Sequence, residues 1–217
     1  MLEEDFIPHC PLTTPVLFLV FNRPNTTKKA FESIRESQAP KLFVAADGPR
    51  PDKPQEKEKC DQVSTVATNV DCELYTLFRE ENLGCKKAVS SAIDWFFEQV
   101  DQGIILEDDY VPHQSFFWFC QELLSRYRYD ERIMLISGNN FQLGKERTRC
   151  SYYFSRFNHI WGWASWRHAW KLYDVDMSLW PKIRDNGLLN DILDQKEQAR
   201  YWTEIFENVC QGKIDTW

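Results

Sequence analysis

The sequence lacks a long apolar run and a long basic run, and each absence excludes a class of protein. Its longest purely apolar stretch covers residues 16–21, far short of the ~20 residues that a membrane-spanning helix needs. Residues 1–5 are acidic, where a secretory signal would be basic. Lys and Arg total 26 against 33 Asp and Glu, for a net charge of −7. We therefore expect no membrane anchor and no nucleic-acid partner.

Cysteine pairs are also missing. The chain has seven cysteines, an odd count, and none of them forms a C-x-x-C pair. This pattern fits neither a zinc ribbon nor a disulfide framework. Several cysteines occupy apolar periodic positions, as reduced core thiols do. We expect a reducing, cytoplasmic location.

The remaining composition is that of a globular domain. The 217 residues are 43% hydrophobic and 15% aromatic, enough to bury a sizeable core. This excludes a disordered tail or a coiled coil. The length suits one α/β domain, or one large domain with a short appendage.

Five short apolar runs recur at intervals of about 30 residues. They cover residues 16–21, 42–46, 73–78, 104–106 and 133–136. Each run is bounded by Gly, Pro, Asp or Asn, as strands of a buried parallel sheet are. The intervals carry apolar stripes at helical spacing, one of them following Pro112. We predict a doubly wound α/β fold, with a single mostly parallel sheet and helices on both faces.

The chain changes character after residue 141. Residues 142–150 are polar and are predicted to form a loop, and five of the nine Trp fall between 161 and 180. Beyond Pro181 the pattern is mainly helical. We predict a nucleotide-binding α/β part at 1–141 and a Trp-rich part at 142–217. Because the sequence ends at Trp217 in what reads as mid-segment, we expect the chain to be truncated there.

The acidic triplet Glu107, Asp108 and Asp109 follows the fourth run directly. Ligands of doubly wound sheets bind beyond the carboxyl ends of the strands, and three adjacent carboxylates repel one another unless a hard cation sits among them. Mn²⁺ or Mg²⁺ with oxygen ligands fits that need. The alternative is an acidic surface turn that leads into a helix.

A second candidate site opens the helix after the third run. Asn82 and Gly84 precede Lys86 and Lys87, and free N–H groups beside two lysines favour a phosphate. The alternative is two solvated surface lysines. No P-loop and no dinucleotide-binding glycine motif is present.

Residues after the first two runs complete a predicted nucleotide pocket. Asp47 is positioned to accept hydrogen bonds from a ribose or a base, and Asn22 and Arg23 to close over the same nucleotide. Taken singly, each is more often a turn residue. Taken together with a metal on the diphosphate, they describe a nucleotide site.

At this point the chain resembles a known family. Residues 103–112, with the Phe116–Phe117 pair that follows, look like the metal motif of GT-A nucleotide-diphospho-sugar transferases. The motif is most similar to that of the N-acetylglucosaminyltransferase I type. Residues 16–24, the Asp47-Gly48 pair and the 82–84 turn fall where that family has its first strand, nucleotide carboxylate and helix start. The resemblance covers roughly residues 14–180.

The resemblance implies a role for each site residue. Asp109 would be the direct metal ligand, and Glu107 and Asp108 would contact sugar or ribose hydroxyls. Asp47 would bind the nucleoside, and Lys86 or Lys87 would approach the diphosphate. The donor would be a nucleotide sugar, with UDP as the nucleotide, and the enzyme would invert the anomeric centre. The metal would neutralise charge on the departing diphosphate.

The same family uses one carboxylate as general base on the acceptor hydroxyl. By resemblance, Asp215 is the candidate, and Asp174 and Asp176 are alternatives that match the family's segment less well. The other interpretation of Asp215 is a frayed terminal residue.

Aromatic faces stack on sugars, so Trp161 and Trp163 are candidates for an acceptor platform. The spacing of Trp163, Trp166 and Trp170 is also that of a packed helix.

Three functions from different classes remain. The first is a metal-dependent glycosyltransferase that acts on a glycan or other hydroxyl acceptor, in bacterial surface-glycan assembly. The second is a non-catalytic carbohydrate-binding module, favoured by the Trp density. The third is a sugar nucleotidyltransferase, which would need a glycine-rich basic loop after the first strand, where this chain has Asn22, Arg23 and Pro24.

Overall fold

The structure is a computed structural model that describes residues 6–142, 145 and 148–217. The acidic start at 1–5, and residues 143, 144, 146 and 147 of the predicted loop at 142–150, lie outside the described residues.

Strands and helices alternate through the first 126 residues. The elements there are β1 (Val16–Val20), α1 (Pro24–Glu36), β2 (Lys41–Ala46), α2 (Glu56–Ala67), β3 (Glu73–Phe78), α3 (Gly84–Gln99), β4 (Gln102–Glu107) and α4 (Ser115–Arg126). Further along are β5 (Ile136–Ser137), β6 (Trp163–Trp166), α5 (Arg167–Trp170), α6 (Trp180–Asp185), α7 (Leu188–Ile192) and α8 (Lys196–Cys210). The prediction of an α/β fold is confirmed, as is the mainly helical character beyond Pro181.

The six strands form one mixed sheet in the order β3-β2-β1-β4-β6-β5. The pairs β1–β2, β2–β3 and β1–β4 are parallel, and β6 is antiparallel to both β4 and β5. The order β3-β2-β1-β4 is compatible with a Rossmann-like fold, in which the chain direction along the sheet reverses between the first and fourth strands.

Successive residues of β1 enter two separate cores, because side chains of a strand alternate between its faces. Val16, Phe18 and Val20 pack with residues of α1, α2 and α4. Leu17 and Leu19 pack with residues of α3 and with Trp163 and Trp170. We call the first set the α1 side of the sheet and the second set the α3 side.

The apolar stripes predicted for the helices are buried in the structure. In α1, Pro24 stands in the first turn, where its missing N–H leaves no helical bond unmade. The stripe residues that are buried in the three helices are Thr27, Ala30, Phe31, Ile34, Ala88, Ala92, Ile93, Phe96, Phe97, Phe116, Cys120, Leu123 and Leu124. Helix α4 begins at Ser115, three residues after the predicted start at Pro112.

Two expectations about residues 133–170 differ from the structure. The strand predicted at 133–136 is reduced to Ile136–Ser137, which lies at the sheet edge with β6 as its partner. The Trp-rich segment, whose spacing suggested a packed helix, forms the strand β6 and only then the single turn α5, although Trp163, Trp166 and Trp170 are buried as a packed segment requires. A four-residue strand has too few residues for periodicity to distinguish it from a helix. No helix in the described ranges is long and apolar enough to cross a membrane.

Candidate active site at the carboxyl ends of the strands

The acidic triplet and Asn22-Arg23 meet where the strand order reverses. Leu19 of β1 pairs with Glu107 of β4, so the residues that follow these strands emerge side by side. This is the position at which doubly wound sheets bind ligands. The sheet therefore brings together residues that lie about 85 positions apart in the sequence.

Asp108 faces the α1 side and is 2% exposed. Its carboxylate accepts hydrogen bonds from the backbone N–H of Phe21 (3.3 Å), from the hydroxyl of Thr27 (3.4 Å) and from Nη2 of Arg23. Burial raises the pKa of Asp108, and the Arg23 guanidinium opposes that rise. Both oxygens have partners within the chain, and the carboxylate anchors the start of α1 to the end of β4.

Asp109, the predicted metal ligand, is open to solvent. Its side chain is 48% exposed, and its Oδ2 accepts a 2.8 Å bond from Nη1 of Arg23. The Arg23 side chain is 47% exposed, and its two terminal nitrogens bridge Asp108 and Asp109. Because both aspartates hold it, the Arg23 guanidinium places a fixed positive charge at the strand switch point, beside a carboxylate that a ligand can reach.

Glu107 faces the opposite side of the sheet from Asp108. Its carboxylate makes no hydrogen bond or ion pair with any described residue. Burial, together with the charges of Asp109 and Asp108, raises the pKa of Glu107 to about 7. The α3 side thus carries a partly buried carboxylate without an ion pair, and only the charge of Arg23, which already pairs with Asp108 and Asp109, opposes the rise in its pKa.

Asp47 and Asn82 join the end of β2 to the turn before α3. Both oxygens of Asp47 accept the backbone N–H of Leu83 (3.0 and 3.1 Å), and Nδ2 of Asn82 donates to the carbonyl of Gly48 (2.8 Å). Burial raises the pKa of Asp47. These two predicted nucleotide contacts lie close together in the structure.

The Asn22 side chain contacts the start of α2. Its Nδ2 donates to Oε1 of Glu56 (3.0 Å), and Glu56 also pairs with the guanidinium of Arg50. The Arg50 hydrogen bonds lower the pKa of Glu56 to about 2. The Arg50 guanidinium lies over the Phe21 ring at 5.7 Å. The sequence pattern did not indicate Arg50 and Glu56, because they stand in a charged connection that resembles any solvated loop.

The start of α3, predicted to bind a phosphate, holds a carboxylate of the chain itself. The backbone N–H groups of Cys85 and Lys86 donate to Oδ2 and Oδ1 of Asp215, at 2.8 and 2.9 Å. Gly84 opens the helix with a φ of +78°. Asp215, the candidate base, is therefore brought to the predicted anion site. The side chain of Lys86 is half-buried and that of Lys87 is exposed.

The other candidate base lies in an exposed turn. Oδ2 of Asp174 accepts the N–H and the hydroxyl of Ser178, both at 2.6 Å. These bonds lower the pKa of Asp174. Asp176 is also exposed. Asp174 closes its own turn, and no contact among the described residues joins it to the strand ends.

The two tryptophans predicted for the acceptor platform differ in exposure. Trp161 is 60% exposed and lies 6.1 Å from the Phe141 ring, which in turn contacts His159. Trp163 is 3% exposed, and its Nε1 is buried without a partner among the described residues. Trp163, but not Trp161, lines a groove of about 1690 Å³ whose lining also includes Tyr110, Asn139, His159, Tyr173 and Trp217.

Comparison with known proteins adds no assignment. A scan against models of known protein families gives no match, and neither does a search of the curated proteins. Any functional assignment therefore depends on the residues and on the geometry of the strand ends.

Proposed function

We propose that the chain is a GT-A-type glycosyltransferase that moves a sugar from a nucleoside diphosphate, with UDP as the nucleotide, to a hydroxyl acceptor. The observation that carries the proposal is the Arg23–Asp108–Asp109 cluster at the strand switch point, with the uncompensated Glu107 on the other side. The α/β sheet and the order β3-β2-β1-β4 support a GT-A assignment with helices on both faces of the sheet.

The donor set suits a hard divalent ion such as Mn²⁺ or Mg²⁺. Asp109 is half exposed, and its Oδ1 has no partner within the described ranges. No three His, Cys, Asp or Glu side chains of the described residues come together there as a self-sufficient metal site. A hard cation that is held by one carboxylate and by substrate phosphates needs no such cluster. Asp109 would hold the ion, and a bound ion would supply Lewis-acid stabilisation of the departing diphosphate.

The chain's own residues have distinct tasks in this proposal. Arg23 attracts the diphosphate with a charge that Asp108 orients. Asn22 and Asp47 flank the nucleoside, and Trp161 offers an exposed ring face to the acceptor. A carboxylate on the α3 side removes the proton of the acceptor hydroxyl as the configuration at the anomeric carbon of the sugar is inverted.

Calorimetry of UDP binding, with Mn²⁺ or with a chelator, tests this function. We expect Asp109→Ala to weaken Mn²⁺-dependent UDP binding by at least about tenfold, while its far-ultraviolet circular dichroism remains that of the parent. Asp61→Ala is the matched control, because Asp61 is an exposed α2 carboxylate paired with Lys57. Equal UDP affinity with Mn²⁺ and with chelator would exclude a metal-dependent transferase.

The exposed Phe141–Trp161 pair favours one alternative, a carbohydrate-binding module. Such a module would bind glycans in chelator and show no thermal shift with UDP and Mn²⁺. Glycan binding that disappears in Trp161→Ala, without any nucleotide response, would favour this alternative over the transferase.

A further inference from the structure

The segment 214–217 is held to the rest of the molecule at two points. The first is the start of α3, where each oxygen of Asp215 accepts one backbone N–H, from Cys85 and from Lys86. A Cβ on Gly84 would lie 2.8 Å from Oδ2 of Asp215, and φ there is +78°. Only glycine allows both the backbone conformation and the close approach. The contact therefore depends on the local structure of both partners.

The second point is a cluster of aromatic rings on the α3 side. The indole of Trp217 stacks on Trp163, with ring centroids 5.8 Å apart and an interplanar angle of 26°. It also meets Trp170 edge-on at 6.4 Å. Nε1 of Trp170 donates to Asp94 of α3 at 2.7 Å. Both attachment points of the segment thus involve α3.

The segment lies beside the strand-end carboxylates. After burial, the charges of Asp215, Glu107 and Asp47 together raise the pKa of the Cys85 thiol. Asp215 therefore binds the same turn as Asp47, whose carboxylate accepts the N–H of Leu83 two residues before Cys85. Trp217 also lines the groove that contains Tyr110 and Asn139.

We propose that Asp215 is a positioning residue, whose carboxylate clamps the 214–217 segment to the start of α3 and thereby fixes the Trp217 indole at the edge of the groove. A general base needs an oxygen that can reach the proton of the acceptor hydroxyl. Each oxygen of Asp215 already accepts a backbone N–H, as in a helix cap. The clamp stands on geometry alone, and its importance for catalysis rests on the proposed glycosyltransferase function.

The clamp also bears on where the diphosphate binds. Asp215 occupies the two N–H groups that a phosphate would use at the start of α3, so the diphosphate is left to Arg23 and to the cation that Asp109 would hold. In the UDP calorimetry we accordingly expect Arg23→Ala to weaken binding by about tenfold or more and Lys87→Ala by less than about threefold. The reverse ranking would overturn the clamp, because the phosphate would then be displacing Asp215.

Chemical rescue tests the clamp without any assay of activity. We expect Asp215→Ala to lose the near-ultraviolet circular-dichroism signal of the stacked Trp217 and Trp163, and to melt earlier. Sodium acetate should restore at least half of both losses relative to sodium chloride at equal ionic strength, because acetate refills the two N–H groups. Asp61→Ala is the matched control, since Asp61 is an exposed carboxylate that pairs with Lys57 and accepts no backbone N–H among the described residues; acetate should not stabilise it.

A second variant keeps the test decisive if Asp215→Ala does not fold. Gly84→Ala should lose the same indole signal, and acetate should not restore it, because the added methyl group blocks the site. An Asp215→Ala protein that keeps the wild-type indole signal would overturn the clamp. An acetate response that is equal in Asp61→Ala would do the same.

Turnover separates a positioning residue from a base. UDP release from UDP-glucose, UDP-galactose and UDP-N-acetylglucosamine is followed against pH. For the substrate that is turned over, we expect Asp215→Asn to keep the shape of the wild-type pH profile and at least about a tenth of the wild-type turnover rate. A turnover rate that falls about a hundredfold or more, with loss of the acidic limb, would show that Asp215 is the base. If wild type neither binds UDP with Mn²⁺ nor releases it, the proposed function fails, whereas acetate rescue of the indole signal still decides the clamp.

Discussion

Glu107 and Asp108 are adjacent in sequence and have opposite surroundings. Asp108 faces the α1 side, where a backbone N–H, a hydroxyl and a guanidinium surround it. Glu107 faces the α3 side, without a partner among the described residues and with its pKa raised to about 7. Adjacent side chains along a strand point to opposite faces of the sheet, and this alternation gives the two carboxylates their different environments.

This difference divides the carboxylates at one edge of the sheet into those that stabilise the fold and those that are candidates for chemistry. On the α1 side, polar groups are paired, so the carboxylate stabilises the fold. On the α3 side, Asp47 and Asp215 accept backbone N–H groups, whereas the Glu107 carboxylate has no hydrogen-bond or ion-pair partner among the described residues. A partly buried carboxylate without a partner marks functional sites more often than surface turns.

The largest effect is expected in the core of the α3 side. Trp163→Ala should lower the free energy of unfolding by about 3–5 kcal/mol, because it removes an indole that is 3% exposed and packs against Trp170 and Trp217. Trp161→Ala, two residues away and 60% exposed, should change it by less than about 0.5 kcal/mol. Urea unfolding followed by circular dichroism measures both. Equal losses would show that Trp161 is also part of the core.

On the α1 side, Asp108→Ala should lower the free energy of unfolding by about 2–3 kcal/mol, since it removes charged hydrogen bonds and leaves the Phe21 N–H unsatisfied. Asp109→Ala is the matched control, because its exposed pair with Arg23 should contribute no more than about 1 kcal/mol. The same urea titration serves for both variants. An Asp109→Ala loss equal to that of Asp108→Ala would contradict the division into structural and accessible carboxylates.

Glu107→Gln should change how stability depends on pH in metal-free buffer. The folded protein raises the pKa of Glu107 above its usual value of 4.5 to about 7. Its contribution is therefore complete below pH 4.5 and is lost as pH rises through 7. The variant should lose less stability than wild type between pH 5 and 8, by on the order of 2 kcal/mol. Parallel stability curves for the two proteins would refute this expectation.

The pKa shift of Glu56 has the opposite sign to that of Glu107, and we expect it to change stability by a smaller amount. Arg50 lowers the pKa of Glu56 to about 2, so its contribution is present above pH 4.5 and is lost as pH falls toward 2. Thermal melts between pH 6 and 2 should show a shallower acid-induced decline for Glu56→Gln than for wild type. Asp61→Asn, on the same helix and exposed, should follow the wild-type curve.

The elements with long, regular patterns were the ones that could be predicted. The stripe of α3 and the buried run of β1 each bury residues at a constant interval, so local spacing is sufficient. Strand β6 could not be predicted, because a four-residue segment next to a helical turn satisfies both periods. Its position between β4 and β5 depends on partners that lie far away in the sequence.

The candidate site divides in the same way. That Asn22, Arg23, Asp47, Asp108 and Asp109 lie at one sheet edge follows from their positions after successive strands. The sequence did not predict that Arg23 pairs with both aspartates or that Asn22 pairs with Glu56. These contacts depend on how far each side chain reaches across the sheet edge. Asp215 showed no signal for its contact with α3, 130 residues earlier in the chain.

Local residue patterns were enough to specify the order of strands and helices from β1 to α4 and the presence of polar residues at the strand ends, since both follow from periodicity within about ten residues. Three-dimensional packing was needed to establish which carboxylate is paired, which is left uncompensated and which one caps α3. Those outcomes depend on the register of β1 against β4 and on contacts between distant segments, which local spacing does not encode.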